Sequence, residues 1–295
     1  MSAAKLTFFV LLGAVGAVFL VNWVAGIRRA RRELPTADPA ATPGSPTAAH
    51  LAIGFVTNFF DTLGIGSFAP TTSIFKLRRI VPDRIIPGTL NVGHTPPVIL
   101  QAFIFITIVQ VDPLTLVLWI AAAVVGAWLG AGVVARLPRR PIQLGMGVAL
   151  LMAAASLLMA LFGLFPMGGE ARGAEGMELV VAGACSFVFG ALMTIGIGSY
   201  APSMIVVSAI GMSPVTAFPI MMGAAAFLMP VAGFRFLAAE RYSLGAALGL
   251  AVGGLPAVLI AAFVVRSLPL TVMRWLVVVV VLYAAVAMLR SATRS

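Results

Sequence analysis

The sequence predicts an all-α polytopic membrane protein: one leading span, then two inverted repeats, each a re-entrant helical hairpin followed by three transmembrane helices. Three observations carry this. The chain is strongly apolar, a nine-residue segment occurs twice, and nearly all basic residues can be placed on one side of a bilayer.

Of 295 residues, 61% are apolar and only 9% charged, and the mean hydropathy is +1.10. Such a chain has too little charge to cover a soluble domain, so its charges must lie in short segments between long apolar runs. The net charge of +10 would suggest nucleic acid in a soluble protein; here it is read as a topology signal, with no nucleic-acid partner expected. A single cysteine excludes a disulfide framework and a cluster of cysteine metal ligands.

Residues 1–32 form the first unit. The apolar run Leu6 to Ala25 is long enough for one span, and Arg28, Arg29, Arg31 and Arg32 follow it on the cytoplasmic side. Residues 33–49, rich in Pro and Ala, read as a cytoplasmic linker.

The repeat comes next. TLGIGSFAP at Thr62 to Pro70 returns as TIGIGSYAP at Thr194 to Pro202, which divides the rest into a first repeat at 50–165 and a second at 176–292. Each repeat opens with two short apolar stretches around a glycine-containing break: 51–63 and 68–80, then 179–195 and 200–210. A 13-residue helix is only about 20 Å long, against a hydrocarbon core of about 30 Å, so these pairs read as hairpins that enter and leave on one side. Longer spans follow at 85–109, 113–135 and 141–162, and again at 214–237, 243–265 and 270–290.

Charge selects the hairpin topology. With seven spans, only Lys5, Arg172, Arg266 and Arg274 of the 19 basic residues fall outside. If each hairpin crossed once, residues 76–84 and 136–140 would move outside and the bias would vanish. The N-terminus is then outside and the C-terminus cytoplasmic, in what is expected to be a bacterial inner membrane. An odd number of spans per repeat inverts the second copy, so the hairpin tips meet near the midplane.

At each tip Ser67 or Ser199 is the expected N-cap of the second arm, with Pro70 or Pro202 in its first turn. Two helix N-termini would then offer backbone N–H groups and positive dipole ends to an anion. The predicted substrate site comprises Thr62, Gly64, Ile65, Gly66 and Ser67 of the first tip and Thr194, Gly196, Ile197, Gly198, Ser199 and Tyr200 of the second, with Asn91 and His94. The glycines let backbone turn and approach a ligand; the competing reading is tight helix packing.

Asn58, Asp61 and His94 are the candidates for proton coupling or gating, because intramembrane ionisable groups are costly and usually functional. The second repeat has Gly190 and Met193 where the first has Asn58 and Asp61. An ionised Asp61 would repel an anion, so it is expected to be protonated or paired with His94 when substrate binds. The structural alternative has His94 bonded to a carbonyl freed by Pro96 and Pro97, and Asp61 tying hairpin to bundle.

At the tip residues the chain resembles the sulfite exporter TauE/SafE family of membrane permeases, on Phe60 to Pro70 (FDTLGIGSFAP), the second-half GIGSYAP, and FPIMMG from Phe218 to Gly223. The resemblance covers about residues 50 to 290. The more familiar family pattern has three glycines where this chain has Gly66, Ser67 and Phe68. The resemblance implies secondary transport of small sulfur-containing anions such as sulfite or organosulfonates, often as export. No cofactor or metal is implied, enzymatic activity is not expected, and a homodimer is in keeping with transporters of this size. Two other classes stay open: metal handling or respiratory-complex assembly using His94 and the methionines, and an intramembrane hydrolase built on Asp61, His94 and Ser67. The absence of GxSxG, HExxH, P-loop and paired CxxC motifs disfavours hydrolysis and ATP-driven transport.

Overall fold

The computed structural model describes residues 3–33, 44–164, 168–196 and 198–264, together with scattered helical positions between 275 and 293. Among the described residues it is helical, with no β-strand and one isolated bridge between Ala171 and Met212. The helices are α1 (Ala3–Glu33), α2 (Ala48–Thr62), α3 (Phe68–Arg78), α4 (Ile86–Gly93), α5 (Thr95–Ile108), α6 (Pro113–Val134), α7 (Arg139–Leu161), α8 (Gly176–Met193), α9 (Tyr200–Ala209), α10 (Ala217–Ala238) and α11 (Leu244–Val264).

Seven described segments are long and apolar enough to cross a membrane: α1, α4 with α5, α6, α7, α8, α10 and α11. The number equals the expectation but the set differs. The predicted span at 270–290 lies mostly outside the described residues. The first arm of the second hairpin takes its place because α8 starts at Gly176, three residues earlier than the sequence suggested. Its 18 residues reach about 27 Å, while the 15 of α2 reach about 22 Å. The expectation that both first arms are too short to span therefore holds for α2 and not for α8.

Both predicted breaks are present. The chain leaves α2 through Gly64 (φ 79°) and Gly66 (φ 89°), and leaves α8 through Gly196 (φ 105°), left-handed conformations that only glycine takes without strain. Pro96 and Pro97 interrupt the long segment from 86 to 108 at His94, which stands between α4 and α5. A proline has no N–H, so the carbonyls of Val92 and Gly93 lose their i+4 donors.

Packing follows a cross-wise pattern. α2 lies along α11 and α8 along α6; α10 packs on α5 and α6, and α11 on α4 and α5. Each first arm therefore rests on the second long helix of the other half. Backbone approaches closely at both seams: a Cβ on Gly190 or Gly126 would overlap the carbonyl of Ala123 or Phe187, and one on Gly253 that of Leu51. Small residues permit this approach between apolar helices. α1 packs on α10 and α5 through Phe8 against Phe227, Phe19 against Phe234 and Phe9 against Phe103, and leaves Val10, Val18 and Val21 exposed.

The outer ends of the broken pairs are tied to neighbouring turns at the ends of the helices. Beyond α9, the Ser213 N–H donates to the Ala171 carbonyl just before α8, and Asp112, which caps α6, donates its N–H to Arg172. Around the first pair, Lys76 of α3 pairs with Asp83 ahead of α4, Gln143 of α7 reaches the same carboxylate, and the Ser243 N–H ahead of α11 meets Thr89. His50 in the first turn of α2 contacts Gly249, five residues into α11. Pro82 and Pro87 around the first of these turns recur as Pro214 and Pro219 at the spacing of the tip motifs, a repeat signal that the tip motifs overshadow.

Candidate functional site

The two breaks lie at neighbouring depths. Ile65 of the first belongs to an apolar cluster with Leu150 and Ala154 of α7, while Ile195 and Gly196 of the second face Gly145 and Met146, one turn or about 6 Å along the same helix. Gly64 faces Phe218 of α10 and Gly196 faces Leu90 of α4, so each tip touches the first long helix of the other half. Tyr200, at the start of α9, is within electrostatic reach of Asp61, and its hydroxyl donates to the Met222 sulfur. Thr62, Ile65, Ser67, Asn91, His94, Thr194, Ser199 and Tyr200 are all buried, Gly64, Gly66 and Gly198 are half-buried, and Ile197 lies outside the described residues. Gly198 does not adopt a positive φ.

The expected N-cap positions hold, but without the capping bond. Ser67 and Ser199 stand at the N-cap positions with helical backbone and make no side-chain cap; Ser199 Oγ instead sits 3.7 Å from Met193 Sδ. An αR conformation points the serine oxygen away from the helix N–H groups, whereas a cap needs extended backbone. Pro70 and Pro202 lack an N–H altogether, so in each first turn the groups left over are those of residues 68 and 69, or 200 and 201.

The polar residues of the first half form two adjoining sets. In one, Asn58 Nδ2 donates to the Gly54 carbonyl at 2.7 Å and lies 3.4 Å from that of Leu250. This leaves Asn58 Oδ1 facing His94 Nδ1 at 3.0 Å, so Nδ1 carries a proton. His94 Nε2 lies 3.1 Å from Thr71 Oγ1, which is also 2.7 Å from the Ser67 carbonyl at the tip. A neutral imidazole accepts from the Thr71 hydroxyl at Nε2. An imidazolium donates there and turns the hydroxyl onto Ser67. The rotor of Thr71 thus connects His94 protonation with the first turn of α3.

In the second set, Asp61 is flanked by Gln101 and by the hydroxyl and N–H of Ser67, and Gln101 Nε2 donates to Thr62 Oγ1 at 2.9 Å. The expected pairing of Asp61 with His94 is not among these contacts, because both ring nitrogens of His94 are engaged by Asn58 and Thr71. Asn91 donates to the Pro87 carbonyl at 2.9 Å, and its Oδ1 is buried without a partner. Gln101 and Thr71 are the residues that sequence reasoning missed. Gln101 is the one strongly polar side chain in the apolar run from Val98 to Val109, and that isolation was the available signal.

In the second half the matching positions carry Gly190, Met193 and Ser203, so the polar set is one-sided. The site as a whole combines two uncapped helix starts with one buried carboxylate and one histidine. Comparison with protein-family models, curated proteins and solved structures gives no match.

Proposed function

We propose that the protein is a secondary transporter of small sulfur-containing anions such as sulfite or organosulfonates, working as an exporter, with the anion bound between the two tips. The observation that carries this reading is the pair of glycine breaks about one turn apart along α7, each followed by an uncapped helix start. The backbone N–H groups left over in each first turn and the positive ends of the two helix dipoles are the groups that would bind the anion in this reading. Irregular backbone at this depth is tolerated where it lines a protein-enclosed site. The cross-wise packing and the ties at the outer ends of the broken pairs support inverted repeats with re-entrant hairpins. In that topology the Arg78 end is cytoplasmic and the Arg172 end external.

A panel of small anions on the purified protein tests the substrate class. A ligand that binds only the folded state raises its melting temperature by mass action, about 2.7 kcal/mol at a hundredfold excess over Kd. Stabilisation by sulfite or a sulfonate is expected; no response to sulfite, thiosulfate, sulfonates or carboxylates overturns the proposal. Topology is tested separately with Arg78→Cys and Arg136→Cys, after Cys185 is replaced. Both are expected to resist an impermeant thiol reagent in intact cells, and labelling of either from outside rejects the seven-span arrangement.

A further inference from the structure

Counting donors and acceptors around Asp61, Thr62 and Gln101 leaves two oxygens over. The Thr62 hydroxyl donates to the Asn58 carbonyl at 2.8 Å, so towards Gln101 it can only accept. This fixes the amide of Gln101: Nε2 must face Thr62, and Oε1 must face elsewhere. Gln101 Oε1 has no partner, and neither has Asp61 Oδ2; both atoms are buried, in residues that are 0% and 2% exposed. An ionised carboxylate and an amide oxygen are both pure acceptors. The Gln101 amide and the hydroxyl and N–H of Ser67 face the Asp61 carboxyl as donors, yet Oδ2 and Oε1 themselves have none, and two buried acceptors on adjoining side chains leave room for a positive partner.

Among the described residues, the surrounding helices supply none. α5 and α11 contain no titratable residue. His94 is engaged by Asn58 and Thr71, and Tyr200 by Met222. Lys76 of α3 is held at Asp83, and Arg235 of α10 lies over Trp128. Asp61 also stands in the last turn of α2, where the negative end of the helix dipole adds to the demand for a cation.

We propose that Asp61 Oδ2 and Gln101 Oε1 hold a monovalent cation, either a proton or a sodium ion, whose presence is required for the anion to bind at the tips. This deepens the transporter reading above and rests on it. A proton on Oδ2 makes Asp61 the donor that Gln101 Oε1 lacks; a sodium ion ligated by both oxygens neutralises the same charge. Either removes the repulsion between Asp61 and an incoming anion. Met193 in the second half has no charge to neutralise, so one cation accompanies each anion, and a monovalent anion then moves without net charge.

The experiment measures isethionate binding to the purified full-length protein, because this sulfonate does not itself titrate near neutrality. One arm varies pH between about 5 and 8 in choline chloride; the other varies sodium against choline at the alkaline end. With a proton site, the wild-type affinity rises by up to about tenfold per pH unit of acidification. With a sodium site it rises in proportion to sodium until saturation. Asp61→Asn, whose amide donates to Gln101 Oε1, is expected to bind isethionate with neither dependence. Gln101→Met, which removes one oxygen and keeps the volume, should shift the midpoint of the dependence without abolishing it, and serves if Asp61→Asn does not fold. A wild-type affinity unchanged in both arms overturns the proposal, as does an Asp61→Asn protein with the wild-type dependence. Failure of the transporter reading is distinguishable: no sulfonate then binds, while the melting temperature without anion still responds to acid or sodium in the wild type and not in Asp61→Asn.

Discussion

Lys76→Met is expected to destabilise the protein by about 1.5–3 kcal/mol, the worth of one charge-assisted hydrogen bond in a mostly buried ion pair. Lys76 Nζ lies 2.6 Å from Asp83 Oδ2, with side chains only 12% and 7% exposed, and Gln143 Nε2 reaches the same oxygen at 2.7 Å. One carboxylate thereby joins the last turn of α3, the turn ahead of α4 and the first turns of α7. Lys76 also lies at the negative end of α3, so its removal costs a dipole contact as well. The methionine keeps most of the apolar stem, which isolates the loss of charge. Thermal unfolding in detergent measures the effect, and the double variant Lys76→Met, Asp83→Leu should be less damaged than Lys76→Met alone. A single-variant loss below about 1 kcal/mol would place the pair with solvent-screened surface bridges.

Gly190→Val is expected to abolish the folded state. Its Cβ would overlap the backbone of Ala123, including the carbonyl oxygen, and backbone has no rotamer through which to yield. Accommodating it requires separating α8 from α6 along the whole seam, which moves the second break away from α7 and α4. Overpacking of ordinary cores costs about 1–3 kcal/mol, and a clash with backbone exceeds that range. Gly183 lies on the same helix with nothing within 4 Å of an added Cβ. Gly183→Ala should therefore be neutral or slightly stabilising, since alanine is the better helix former by about 1 kcal/mol. The check is the monodisperse yield of the two variants; equal yields would mean that the α6–α8 seam is looser than its geometry.

These contrasts also explain what could be read from the chain. The breaks were legible because local sequence causes them: glycines at 64, 66 and 196 take left-handed backbone, and two consecutive prolines stop α4 at Gly93. The arms flanking the first break, predicted at 51–63 and 68–80, run over 48–62 and 68–78. Failures arose where distant residues decide. The uncapped serines follow from backbone entering α3 and α9 already helical, which the Ser-x-x-Pro spacing does not reveal. His94 was foreseen as a polar group at a helix break, yet its partners Asn58 and Thr71 come from two other helices. Asp61 finds Gln101 rather than His94 because α5 presents an amide at that depth. Whether two intramembrane polar residues meet depends on helix rotation, to which apolar runs of nearly uniform composition give little guide.

The cross-wise seating of the first arms also bears on how the chain is made. When α8 emerges from the ribosome, its seat on α6 has already been synthesised and can receive it at once. α2 has no such seat. The carbonyl of Leu250 lies 192 residues beyond the Asn58 amide it faces. The polar partners of Asn58 and Asp61 at Gly54, Ser67, His94 and Gln101 are made early, but α2 must wait for its packing seat until α11 is made. Long-range closure of this kind is slow and leaves an unseated helix open to wrong partners or to chaperones. The first break is thus both the chemically richer half of the site and a part that biogenesis completes later than the second.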